Sequence, residues 1–243
     1  IHFILKIVED YSLIRKVYDT FMRIEPRSFW RNWFDSRFYI AHLASKLNSE
    51  LVLDIGCGTG VLLHFTNAQQ KVGFDFSFSS LQSAKKLEPT ANFICGDATA
   101  LPFHDNVFPN ILAVQIFQDL KGLGKDWERS ILETKRVAGK NCKIILNGNN
   151  KMSKHFKGYT IEEKRSYLNY SQQEKFFKNE YEIKVEGYDP HPKWLMFGLK
   201  KILFNIPDII NEKLFEKILF NFLRSKRYLK NGRSFIMICE RRS

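Results

Sequence analysis

Leu51-Val52-Leu53-Asp54-Ile55-Gly56-Cys57-Gly58-Thr59-Gly60 decides the reading of this chain. A short apolar run of strand-forming residues ends in an acid, and three glycines follow at alternate positions. Glycine permits a sharp strand-to-helix turn and lets a ligand lie against bare backbone. The spacing is G-x-G-x-G. A dinucleotide-binding turn would place its third glycine three residues after the second, and a phosphate-cradling loop would end in Lys-Ser or Lys-Thr. Neither pattern is present.

Outward from the turn the same grammar repeats. Lys71 to Ser77 reads as a second strand ending in the acid Asp75. Asn92 to Phe103 reads as a third strand with a Gly96-Asp97-Ala98 turn, and Val107 to Leu120 as a fourth strand and the loop after it. Ile131 to Lys140 gives a helix and a turn, followed by a strand from Lys143 to Leu146. Alternation of strands with helix-compatible segments argues for a parallel sheet covered on both faces. Crossovers should be right-handed, with the ligand at the carboxyl ends of the strands where strand order reverses.

Taken in order, these motifs resemble class I S-adenosylmethionine-dependent methyltransferases, within the broad group of small-molecule and quinone-biosynthesis enzymes. The likeness covers about Leu51 to Leu146 and the last strand, Ser234 to Cys239. It implies an α/β fold: a Rossmann-like, seven-stranded, mostly parallel sheet with helices on both faces. A helical N-terminal cap and a helical insertion before the last strand complete it. Residues 1–47 would form the cap, 48–150 the cofactor-binding core, and 151–243 a basic, acceptor-facing region with the final strands. Within those outer parts, Phe29 to Leu47 reads as helix, as do Trp194 to Ile206, Asn211 to Leu229 and a stretch opening at Thr160. Tyr181 to Val185 reads as a strand, so that Gly187 to Gly232 is inserted between the last two strands.

The resemblance also implies roles. Backbone N–H groups around Gly56, Gly58 and Gly60, with Cys57 and Thr59 between them, would approach the methionyl part of S-adenosylmethionine. Asp54 would orient its amino group, and Asp75 would accept from both ribose hydroxyls. Phe76, beside Ser77, or a neighbouring apolar group would cover an adenine face. Asp97 would accept from the adenine amine while the Ala98 N–H serves a ring nitrogen, and Gln115 would border the cofactor at the end of the fourth strand. S-adenosylhomocysteine is the implied product. The chain departs from its relatives in two places. Pro109 replaces an acid common after the phenylalanine, and Gln118-Asp119 stand where relatives often have Glu-His. Asp119 lies near the expected methyl position, as a base or as a substrate ligand. No Asp/Asn-Pro-Pro-Tyr/Phe follows the fourth strand and no cysteine stands near that loop. Both absences argue against amide nitrogens and against covalent attack on a pyrimidine.

Composition bounds the remainder. At 243 residues the chain fits one domain with an elaboration. The four cysteines are far apart with no C-x-x-C pair, so no metal site is expected and a reducing, cytoplasmic setting is the default. Cys95, Cys142 and Cys239 lie in apolar runs, as small hydrophobes. Ile1 to Val8 is apolar but lacks a basic leader and cleavage site, so it does not read as a signal peptide. Charge is uneven: the net is +3 over residues 1–150 and +9 over 151–243. Such a surface suits an anionic partner. Three readings follow. The first is a small, lipid-like or aromatic acceptor, with Trp194, Met196, Phe197, Lys200 and Lys201 contacting an anionic membrane surface. The second is an RNA or ribosome-associated methyltransferase gripping phosphates through Lys151 to Tyr181. The third is a cofactor-binding protein without turnover.

Overall fold

The computed structural model describes residues 36–150, 167–188, 224–225 and 234–242. Most of the cap, the Thr160 helix and the Trp194 to Ile206 helix lie outside them. The strands are β1 (Leu51–Ile55), β2 (Gln70–Asp75), β3 (Asn92–Cys95), β4 (Phe108–Val114), β5 (Ala138–Asn149), β6 (Tyr181–Tyr188), β7 (Arg224–Ser225) and β8 (Ser234–Arg241). Interleaved with them are α1 (Ser36–Ser45), α2 (Val61–Phe65), α3 (Phe78–Leu87), α4 (Ile116–Gly122), α5 (Trp127–Val137) and α6 (Tyr170–Phe177).

The strands hydrogen-bond into one sheet of order β3-β2-β1-β4-β5-β8-β6-β7. From β3 to β5 all pairings are parallel, while β8 runs antiparallel between β5 and β6. Seven strands carry the sheet, and β7 adds only two residues at its edge. Arg224 and Ser225 fall where the sequence suggested a helix. They pair instead with Tyr188 and Gly187, so ladder pairing overrides local helix propensity there.

Both faces are covered, and strand alternation decides which residue meets which helix. Leu53, Ile111, Ile144 and Met237 join the core under α4, α5 and α6, whose Phe117, Ile131 and Phe177 pack into it. Val52, Leu112, Ile145 and Ile236 point the other way, against Ile40 and Ala44 of α1, Leu63 of α2 and Leu81 of α3. Double-sided burial explains why these strands read as unbroken apolar runs.

Two local departures from expectation have clear causes. The turn anticipated at Ala138-Gly139-Lys140 is already strand, so β5 runs twelve residues. Its pairing with β4 shifts register between Phe108 and Asn110. Pro109 sits at that irregularity, lacking the N–H that a regular ladder would use. The segment after Val114 is helix α4 rather than a loop, which places Gln118 and Asp119 on a rigid element.

The long connection from β3 to β4 is pinned to α5. Glu133 accepts from the Leu101 N–H at 2.9 Å, and the Arg136 guanidinium donates to the Leu101 and Phe103 carbonyls at 2.9 and 2.7 Å. Arg136 also pairs with Glu133 at 2.7 Å, leaving the nearly buried carboxylate fully engaged. The loop that starts at Asp97 is thereby held against the sheet.

Candidate cofactor and acceptor site

Strand order reverses between β1 and β4, because the chain builds outward from β1 to β3 and then returns to the other side. In open α/β sheets such a reversal point is where ligands bind, outside the carboxyl ends of the strands. Asp54 to Gly60 follow β1, Asp75 to Ser77 follow β2, Asp97 and Ala98 follow β3, and Gln115 follows β4. The sheet thus brings every residue expected at the cofactor to one edge.

The glycine turn is held from beneath by β2. Gly56 and Cys57 both donate to the Phe74 carbonyl, at 2.7 and 3.1 Å, and Gly58 donates to Asp75 Oδ2 at 2.8 Å. Gly60 donates to the Cys57 carbonyl at 2.9 Å. The N–H groups of all three glycines are therefore engaged within the turn or by β2. What the glycines supply is shape. Gly58 adopts φ +52°, and a Cβ built there would meet nothing within 4 Å, so its bare face looks into open space. At Gly60, with φ +77°, a Cβ would lie 2.9 Å from the Ala84 Cβ on α3. The two positions should respond differently to alanine. Gly60→Ala should lower the melting temperature by several degrees, since backbone strain and overpacking together amount to roughly 2–3 kcal/mol. Gly58→Ala carries the strain alone and should show its larger effect in cofactor affinity. Thermal melts with and without S-adenosylhomocysteine separate the two, and identical behaviour would remove the distinction.

Cys57 turns its thiol down into the core beside α2, and burial raises its pKa far above the ordinary thiol value. Its contribution to the site is backbone only. Thr59 is half-buried on the turn. Asp54 is 1% exposed, and both carboxyl oxygens lack a hydrogen-bond partner among the described residues. Desolvation first, and then the neighbouring Asp75 charge, push its pKa up to about 8.

Asp75 is buried and uses both oxygens: Oδ2 takes the Gly58 N–H and Oδ1 takes the Ser77 N–H, each at 2.8 Å. Each oxygen keeps a further lone pair for a ribose hydroxyl. Ser77 caps α3 by accepting from the Ser80 N–H at 3.3 Å. Phe76 is 70% exposed and Phe78 66% exposed, a pair of rings standing free beside the β2 tip. Phe78 is the apolar neighbour that stands beside Phe76.

At the β3 tip Asp97 is exposed. Its Oδ1 accepts from the Thr99 N–H and hydroxyl at 2.9 and 2.8 Å, which holds its pKa below the usual carboxylate value. Lys125 Nζ lies 3.9 Å from its Oδ2. Neither Thr99 nor Lys125 was expected here; a threonine two residues after an aspartate is the signal for such a turn. Ala98 packs into the core. Cys95, expected to be buried, is exposed instead and donates to the Phe76 carbonyl at 3.4 Å, because β3 lies at the sheet edge.

Gln115 closes β4 in a left-handed conformation, φ +64°, sparsely populated by residues with a Cβ. Its N–H donates to the Asn147 carbonyl at 3.2 Å, tying the tips of β4 and β5 together. Gln118, met in the sequence only as a missing acid, is buried and accepts from the Asn149 N–H at 2.7 Å. Asp119 beside it is exposed by surface area, yet enough protein surrounds its carboxyl that desolvation raises its pKa. The Gln118 amide partly offsets that rise.

The donor set fits S-adenosylmethionine. Asp54 is an orphaned buried acid suited to a cation, Gly58 leaves an open cradle, and successive strand tips carry carboxylates for a ribose and an adenine. Comparison with known proteins agrees. Residues 53–146 match the model of a methyltransferase domain. The demethylmenaquinone methyltransferase of Renibacterium salmoninarum is 32% identical over 118 residues, 48% of this chain and 47% of that protein. The enzyme of the same name from Thermotoga maritima is 27% identical over 145 residues, 58% of this chain and 57% of the other. The chain thus spans about half the length of these relatives. A solved S-adenosylmethionine-dependent methyltransferase from Thermotoga maritima superposes with a TM-score of 0.61 at 16% identity, covering 93% of this chain and 99% of the other. At that identity the match speaks for the fold alone. By matched segment, strand order and strand-tip acids, residues 53–146 are similar to a methyltransferase domain, and the described fold is that of S-adenosylmethionine-dependent methyltransferases.

Proposed function

We propose that this protein transfers a methyl group from S-adenosylmethionine to a small aromatic acceptor of the demethylmenaquinone kind, by direct displacement. The observation that carries the transferase reading is the alignment of Asp54, Asp75 and Asp97 on adjacent strand tips around the open face of Gly58. The acceptor class rests on the two relatives named above.

S-adenosylmethionine supplies, when bound, a methyl carbon on a sulfonium whose departure needs no protonation. The task left to the chain is alignment and exclusion of water. Asp75 and Asp97 would hold the nucleoside, Asp54 would hold the amino acid end, and Gln115 would border the cofactor at the tip of β4. A hydroquinone becomes a better carbon nucleophile as its hydroxyl loses a proton; after transfer the ring C–H proton that the methyl displaces leaves, and the oxygen regains its proton, so that one proton is released in all. Asp119, on the exposed side of α4, is the carboxylate offered to take the hydroxyl proton.

The experiment uses purified protein, methyl-labelled S-adenosylmethionine and a prenylated naphthohydroquinone, with label counted in an organic extract. Label in the methylated quinone is expected. The net +9 of residues 151–243 favours one other acceptor, so total RNA is run in parallel at low and high salt. Label in RNA and none in the quinone overturns the acceptor assignment. Label in neither, with S-adenosylhomocysteine still bound, favours a protein that keeps the cofactor without turnover.

A further inference from the structure

Asp54 is the one feature of the site that a bound nucleoside does not explain. Its oxygens are buried, unpartnered among the described residues, and lie directly beneath the glycine turn. A carboxylate in that position is an isolated buried charge, which proteins avoid by pairing it or by keeping it protonated. Among the described residues the surroundings offer no cation. From β2 comes Asp75, itself an acid. Lys71, at the far end of the same strand, is 3.5 Å from Glu88. From α2 comes His64, 3.0 Å from Glu88. From the turn comes Cys57, a thiol held protonated by burial and by the two neighbouring acids. β4, the other neighbouring strand, carries no charged residue, and neither do the described side chains of α1.

We propose that Asp54 rests as a neutral acid in the free protein and releases its proton to solvent when the ammonium group of the cofactor docks against it. The inference builds on the cofactor reading above. The Asp54 O–H bond breaks, the proton leaves to buffer, and the carboxylate pairs with the ammonium that the ligand brings. The sign of the pH dependence follows. Below the free-state pKa of about 8, deprotonation must accompany binding, so affinity rises with pH. For a single proton the rise is about tenfold per pH unit, until the carboxyl is already ionised. Above roughly pH 8 the ligand's own α-amino group loses its proton and affinity falls again.

Titration calorimetry of the full chain with S-adenosylhomocysteine tests this, at about pH 6.5 in buffers of different ionisation enthalpy. Close to one proton released per ligand is expected. Asp54→Asn, of the same shape, should bind without release. So should wild type with 5′-methylthioadenosine, which lacks the amino acid. Binding with no release overturns the inference and leaves the cofactor reading intact, as does release that persists in Asp54→Asn. Failure of S-adenosylhomocysteine to bind removes both. Should Asp54→Asn not fold, the wild-type series decides alone: affinity unchanged between about pH 5.5 and 7.5 overturns the proposal.

Discussion

Asp75→Ala should weaken S-adenosylhomocysteine binding by about two orders of magnitude, because the residue does two jobs. Its oxygens accept the Gly58 and Ser77 N–H groups at 2.8 Å and so lock the glycine turn onto β2 before any ligand arrives. Their remaining lone pairs are the acceptors offered to the ribose. Hydrogen bonds to a charged group are worth roughly 1.5–3 kcal/mol each, and loss of either function alone is about a tenfold effect or more. Losing both compounds the defect, since a loosened turn must be reordered on binding. Asp75→Asn should fall between wild type and Asp75→Ala, because one amide oxygen can replace only one of the two acceptors. Asp97→Ala should lose about tenfold at most, since its carboxylate is exposed and its competing partners are water. Calorimetry on the three variants gives the ranking. Wild-type affinity in Asp75→Ala would falsify the assignment of the site.

The strand tips that carry the candidate cofactor residues were legible in the sequence because their pattern is local. A strand, an acid and a turn lie within ten residues, so Leu51 to Gly60 or Lys71 to Ser77 can be interpreted without knowing what lies nearby. The direction of a backbone group is different. N–H groups around Gly56, Gly58 and Gly60 were expected to approach the ligand, but Phe74 and Asp75, contributed by another strand, engage those of Gly56, Cys57 and Gly58. The same non-local pairing turned Arg224 and Ser225 into a strand edge and drew Ala138 to Lys140 into β5. Cys95 missed for a related reason: an apolar run says that a strand exists, whereas its position in the sheet decides exposure. On the acceptor side, Gln118 carried no signal at all. Its hydrogen bond to the Asn149 N–H spans 31 positions, and only the parallel pairing of β4 with β5 brings the two together.

Asp119→Asn should reduce kcat on a naphthohydroquinone acceptor by about a hundredfold, the size usual for loss of a positioned base. Affinity for S-adenosylhomocysteine should be unchanged, because Asp119 lies on α4 beyond the nucleoside-binding tips. The pH profile gives an independent check. Burial raises the Asp119 pKa and the Gln118 amide only partly offsets it. The carboxylate is the form that accepts a proton, so wild-type kcat should climb as pH rises through that elevated pKa and then level off. Asp119→Asn should lack this limb. A different pattern would point to a different role: kcat retained with a raised KM would mean that Asp119 binds the acceptor equally in ground and transition states. Because a sulfonium leaves without protonation, the acid–base work of this reaction is confined to the acceptor: its hydroxyl proton before transfer, and the ring C–H proton that the methyl displaces after it. Unchanged kcat and an unchanged pH limb in Asp119→Asn would therefore place that work on a residue outside α4, or show that the acceptor arrives already ionised.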